Sequence, residues 1–273
     1  MKKIALAAAA AAILVTGGAS AADMAVKARP APLPAPVFSW TGFYVGANAG
    51  YDWGRTDVVY TPPGPPDGFI PIDVATYAAG ATRRVNHDGF TGGVQAGYNY
   101  QINQFLLGVE GDVGYLQRRG SFVGMFPQVW GVQNVNISGQ DGWLATVRGR
   151  VGVTFDRLLL FATGGAAFTS AGVNIGNNWN PALGFRNAST SVTDRTGWVA
   201  GGGVEYAPAF MPNWSVKLEY LRLQFDSATV TAFTLGMLNP GVNVPHRYNV
   251  DFSDNIVRAG INYRFGGPIV AKY

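Results

Sequence analysis

The chain has 273 residues, of which 48% are hydrophobic and only 13% charged, with 37 glycines and no cysteine. Soluble domains carry about 25% charged residues, and a mean hydropathy of +0.09 is far too low for a bundle of membrane helices. The formal charge of +4 includes Lys2 and Lys3 near the start, and no Lys/Arg run follows, so composition excludes a nucleic-acid binder. So much glycine without a collagen period also argues against a helical or fibrous protein. A chain without thiols suits passage through an oxidising compartment.

Met1-Lys2-Lys3 and the apolar run 4–15 precede Ala19-Ser20-Ala21. This reads as a secretory signal, residues 1–21, with cleavage after Ala21 or Ala22. Its apolar part is shorter than the about 20 residues of a spanning helix. Residues 22–38 carry Pro30, Pro32, Pro34 and Pro36. They are expected to form a semi-rigid periplasmic tether with polyproline geometry.

From there the hydrophobic period is two. In 43–53, Phe43, Val45, Ala47, Ala49, Tyr51 and Trp53 share one face, while Tyr44, Asn48 and Asp52 take the other. Trp40 and Phe43 at one end, with Tyr51 and Trp53 at the other, suggest the two aromatic girdles of a membrane strand. A long connection, 54–88, contains Pro62, Pro63, Pro65 and Pro66. The alternation returns in 90–100 and, after a short turn at 101–104, in 105–115, where Glu110 and Asp112 point inward.

After a second long connection, 116–142, the strand 143–155 sets Trp143, Val147, Val151 and Phe155 opposite Arg148 and Arg150. Asp156-Arg157 makes a two-residue hairpin to 158–169. The uncharged stretch 158–176 approaches the length of a single spanning helix, but Gly164-Gly165 disfavours one by about 1 kcal/mol per glycine. The third long connection is 170–195, and 197–206 follows with Glu205 inward. In the strand from Trp214, Lys217 and Glu219 face inward. The apolar set then shifts phase to Leu221, Leu223 and Phe225, which predicts a β-bulge near 220–222. A fourth long connection, 226–254, leads to 257–265. There Val257, Ala259, Ile261, Tyr263 and Phe265 alternate with Arg258, Gly260, Asn262 and Arg264.

Strands of about 9–11 residues that are apolar on one face, behind a signal and with long and short connections in strict alternation, define an all-β fold. The expected architecture is an eight-stranded antiparallel transmembrane barrel over 39–265, with short periplasmic turns and four long extracellular loops. Residues 266–273 form a short extension. The segment 122–139 has room for another strand pair, so ten strands is the alternative count.

Trp40-Thr-Gly-Phe-Tyr-Val-Gly-Ala-Asn-Ala-Gly50, Gly93-Val-Gln-Ala-Gly-Tyr-Asn-Tyr100, Gly108-Val-Glu-Gly-Asp112 and the final strand resemble the alphaproteobacterial 25/31-kilodalton outer-membrane protein family. The resemblance spans all eight strand segments. It implies an abundant outer-membrane barrel with structural and surface-exposed roles. Haem binding is attributed to some relatives, but this sequence carries no motif for it. Ala259, Ile261, Tyr263 and Phe265 also resemble the terminal signal read by the barrel-assembly machinery, although here eight residues follow Phe265.

His87 and His246 fall in predicted loops, and neither has a second ligand at metal-site spacing. Both are expected to be solvated, with no metal and no cofactor. Glu110-x-Asp112 resembles half of the acid constellation of barrel proteases, but no Asp-x-His accompanies it. The lipid-deacylase pattern His-x-Ser is missing too, and a non-enzyme is expected. The inward charges Glu110, Asp112, Arg148, Arg150, Glu205, Lys217, Glu219, Arg258 and Arg264 carry both signs in rough balance. In a lumen just wide enough for side chains they must pair.

The expected function is envelope maintenance and surface display with a plugged lumen. A narrow ion channel and loop-based binding of haem or a host surface, using loop aromatics such as Trp130 and Trp179, are the alternatives. The expected partners are outer-membrane lipid, lipopolysaccharide and the assembly machinery, with no nucleic acid; the sequence leaves the oligomeric state open.

Overall fold

The structure is a computed structural model that describes residues 38–61, 82–128, 131–179, 188–235 and 243–265. The expected signal, the tether up to residue 37, Trp130 and the extension 266–273 lie outside the described residues. The strands are β1 (Gly42–Thr61), β2 (Arg83–Ile102), β3 (Phe105–Leu116), β4 (Ser121–Gln128), β5 (Gly131–Gln140) and β6 (Gly142–Phe155). They continue as β7 (Leu158–Thr169), β8 (Gly172–Trp179), β9 (Ala188–Val192), β10 (Arg195–Tyr206), β11 (Trp214–Leu235) and β12 (Asn243–Phe265).

Eight of them close an antiparallel barrel in the order β1-β12-β11-β10-β7-β6-β3-β2. β12 seals it against β1 with Phe43 opposite Phe265 and Ala47 opposite Ile261. Closure leaves no free edge, which matters where no water is available to satisfy one. The short turns use residues that tolerate the left-handed region: Asn103 at φ 53° between β2 and β3, and Asp156 at φ 52° between β6 and β7. The stretch 158–176 is β7 followed by the start of β8, so it is not a helix.

Three expectations are corrected. First, the described residues of the long connections are largely strand. β1, β2, β11 and β12 run well past the girdle level, and 122–139 does hold two strands. These do not enter the barrel ring. β4-β5-β8-β9 form a separate four-stranded sheet, each strand leading into or out of a barrel strand with a short break. Second, no bulge interrupts Tyr220–Arg222. The β11–β12 register runs unbroken from Trp214 to Phe225 and shifts only between Phe225 and Ala228. Leu221, Leu223 and Phe225 are buried because they point into the barrel. Third, Trp40 is 1% exposed and does not belong to a girdle.

The interior therefore has two parts. Towards the short turns it is polar. Towards the long connections, Leu221, Leu223, Phe225, Tyr248, Val250, Phe252 and Val58 share one apolar core with Val135, Ile137, Val173 and Ile175 of the four-stranded sheet. The outer surface does the reverse. Beside the polar interior it exposes Phe43, Val45, Val94, Val109, Val147, Val216 and Ile261. Beside the apolar interior the exposed residues include Arg84, Asn86, Arg247 and Asn249.

Candidate functional site

The polar half of the interior is built from inward positions of β3, β6, β10, β11 and β12. Arg148 meets Glu110, Asp112 at 2.8 Å and Glu219 at 3.1 Å. Arg150 meets Glu110 at 3.3 Å and Glu205 at 2.8 Å. Lys217 meets Glu110 at 2.9 Å and Glu219 at 3.1 Å. Arg258 meets Asp112 at 3.0 Å and Glu219 at 2.6 Å. Four cations thus face four carboxylates, and every member touches at least one partner of opposite sign. All eight side chains are buried. Charges removed from water persist only with such compensation, because each unpaired one costs several kcal/mol.

Uncharged groups complete the network. Tyr44 donates to Glu110 at 2.7 Å and accepts from Arg150 at 2.8 Å. Gly97 makes room for its ring, since a Cβ there would lie 2.5 Å from the Tyr44 Cζ. Ser215 and Asn262 donate to Glu205 at 2.5 and 2.8 Å. Thr146 donates to Asp112 at 2.6 Å, and Lys217 also reaches Gln95 at 3.0 Å. The alternation had placed Tyr44 and Asn262 on this inner face, but the sequence does not reveal which charge each uncharged group serves.

Arg264 stands apart from the other eight charges. It donates to the carbonyls of Ser39 and Pro212 at 3.0 and 2.7 Å and lies over the rings of Phe38 and Trp40. Trp40 is held by its backbone N–H to Gln101 at 2.8 Å and by its indole N–H to the Asp156 carbonyl at 3.1 Å. It packs with Leu106, Leu159, Phe161 and Ala207. The segment before β1 is therefore packed into the turn end of the barrel and tied to Arg264 of β12. Ala259, Ile261 and Phe265 point outward, Tyr263 less fully so.

A second cluster lies where the polar and apolar interiors meet. His87 and His246 are 5% and 0% exposed; neither is the solvated loop residue expected, because the strands that carry them continue past the girdle. His87 Nε2 and Asp254 Oδ1 are 2.6 Å apart, and Arg118 donates to the other Asp254 oxygen. Gly54 pairs with Asp254 on one side and with His87 on the other. A Cβ on Gly54 would come within 2.7 Å of His87 Nε2, so only glycine admits this pair. Asp52, two residues below on the same face, is fully buried. Residues 52, 87, 118 and 254 are too distant in sequence for any spacing rule to connect them. His246 lies deeper in the apolar core, 2.8 Å from the Tyr60 hydroxyl, and burial pushes its pKa down to about 4.

A closed eight-stranded ring with an apolar exterior belt and an ion-paired interior defines an outer-membrane β-barrel. The family model described as "Outer membrane protein beta-barrel domain" matches residues 7–265, and the chain belongs to that family. It is 34% identical to the 31 kDa outer-membrane immunogenic protein of Brucella melitensis, over 97% of this chain and 100% of that one. It is 29% identical to the 22 kDa outer membrane protein of Rhizobium leguminosarum bv. viciae, over 87% and 83% of the two chains. Among solved structures, OprG from Pseudomonas aeruginosa is similar with a TM-score of 0.40 and 10% identity, over 82% of this chain and 97% of that one. The protein resides in the outer membrane of a Gram-negative bacterium, and its exterior apolar belt faces lipid.

Proposed function

We propose that the protein is a structural, non-conducting component of the outer membrane that maintains the envelope and displays a rigid platform outside the cell. The observation that carries this reading is the buried ion-pair network. Four cations and four carboxylates fill the lumen with nine contacts of opposite sign. An eight-stranded barrel has an interior just wide enough for side chains. Above the network the apolar core adds a second barrier, and below it Trp40 adds a third. An ion entering from either side meets a desolvation barrier with no free counter-charge. The turn end faces the periplasm and the strand extensions face the exterior, where they meet lipopolysaccharide.

The same observation supports a non-catalytic reading. Each network carboxylate is bound to a cation, so none is free to exchange protons as a general acid or base. Ala259, Ile261, Tyr263 and Phe265 serve as the handle for barrel assembly, since they line the outer face of the closing strand. Planar-bilayer recording of the purified full chain tests the central reading. The expected trace is flat at all voltages that the bilayer tolerates. Reproducible single-channel steps, abolished or altered in Glu110→Gln, would replace it with a channel.

A further inference from the structure

We propose that Asp52, His87 and Asp254 form a binding site for one divalent transition-metal ion of the zinc type, at the boundary between the polar and apolar interiors. Each residue offers one ligand atom, and the three atoms lie within 4.8 Å of one another. One imidazole and two carboxylates, with a fourth position left to water, is a donor set that suits zinc.

The independent observation is Asp52. Its side chain is fully buried, and neither carboxylate oxygen has a hydrogen-bond partner among the described residues. A buried carboxylate without a partner costs several kcal/mol, whereas every acid of the lumen network is paired. Of the two aspartates, Asp254 is paired with Arg118 and Asp52 with no cation among the described residues. Arg118 engages only the outer oxygen of Asp254, so Oδ1 remains directed at His87. Arg195 lies over the Phe252 ring, 3.4 Å from its centroid. His87 Nδ1 is 3.5 Å from the Thr56 hydroxyl, a contact of the kind that orients a metal-bound imidazole. Gly54 keeps the space between the His87 and Asp254 strands open. A surface cavity of ≈ 420 Å³ includes Gly54, His87 and Ser253 in its wall, with Asp88 at its side. Zinc bonds of about 2.0–2.2 Å place tetrahedral ligands roughly 3.4 Å apart, so loading draws Asp52 inward and spreads His87 Nε2 and Asp254 Oδ1 from their 2.6 Å contact. The His87–Asp254 hydrogen bond gives way to two metal bonds: the proton leaves Nε2, and His87 coordinates through Nε2 as the neutral tautomer with its proton on Nδ1, on the Thr56 side.

The test uses the full chain refolded in lipid vesicles, with Zn²⁺ titrated calorimetrically and Co²⁺ followed by its visible absorption. Wild type should bind one ion per chain, with Co²⁺ bands of a nitrogen–oxygen ligand set. Asp52→Asn preserves shape and cannot ionise. It should therefore fold at least as well as wild type by heat-modifiable migration, yet bind at least about 100-fold more weakly. His246→Gln, outside the triad, should bind as wild type does. Absence of binding to folded wild type at about 1 mM Zn²⁺, or equal binding by wild type and Asp52→Asn, would overturn the site.

Discussion

The two halves of this barrel's interior solve the same packing problem with opposite chemistry. The half beside the lipid belt is filled by Arg148, Arg150, Lys217 and Arg258 with their carboxylates. The half above it is filled by Leu221, Leu223, Phe225, Val250 and Phe252. The difference follows from what lies outside each wall. Where the outside is lipid, an apolar interior gains no hydrophobic driving force, because lipid tails are as apolar as leucine. Paired polar groups then supply the cohesion. Where the outside is water, burying leucine and phenylalanine is the dominant favourable term. β11 crosses from one regime to the other without changing register. Lys217 and Glu219 face in below; Leu221 and Leu223 face in above. The inversion of polarity on one unbroken strand therefore marks the membrane surface.

The comparison is broken most severely by deleting a hub of the charged half. Arg148→Ala leaves three carboxylates short of a partner and should destabilise the barrel by about 3–5 kcal/mol. Urea unfolding in vesicles reads this as a lower midpoint; an unchanged midpoint would show that water already enters the network. In the apolar half, Leu223→Ala should lose about 2–5 kcal/mol through transfer and cavity terms. Its mark should be faster proteolysis of the strand extensions, with the membrane-embedded strands still protected. A third test moves one residue type across the boundary on the outer face of β11. Leu218→Lys places a cation near the middle of the lipid belt and should cost about 2–4 kcal/mol. Gln224→Lys, above the belt, should stay within about 0.5 kcal/mol of wild type. Equal folding of the two would contradict the boundary.

The smallest effect is a pH dependence confined to the upper half. The folded pKa of His246 is depressed by burial from its ordinary 6.5 to about 4. The unfolded chain then takes up a proton that the folded chain refuses. His246 is neutral in both states at higher pH, so its contribution is intact above about pH 6.5. Stability should fall as pH drops from there towards 4, where the folded state also protonates. Proteolysis of the extensions across that window, compared with His246→Gln, checks it; the variant should lose this part of the slope.

Much of the fold was legible because alternation is a local signal. The eight barrel strands, their order, and eight of the nine charges that share the lumen follow from period two and the position of glutamate, lysine and arginine on the inner face. Arg264 was on the right face but at the rim, where its partners are backbone carbonyls that no side-chain pattern reveals. The bulge assigned to 220–222 was an error of physics: the strand was assumed to keep lipid on one side throughout. Once water replaces lipid, the same register buries the other set. His87 and His246 were missed for the same cause, since loops were drawn where strands continue. The Asp52, His87 and Asp254 cluster comes from three adjacent strands separated by long stretches of chain, and only the closed barrel brings them together.

The polarity inversion is tested most directly by site-directed spin labelling along β11 in vesicles, which the absence of native cysteine makes straightforward. Single labels at 216, 218, 220, 222, 224 and 226 should be accessible first to oxygen and then to a water-soluble nickel relaxant, with the crossover between 220 and 222. Labels at 221, 223 and 225 should be shielded from both. Oxygen accessibility that moves to 221, 223 and 225 would show a bulge that returns these side chains to lipid, and would contradict an interior divided between charge and apolar core.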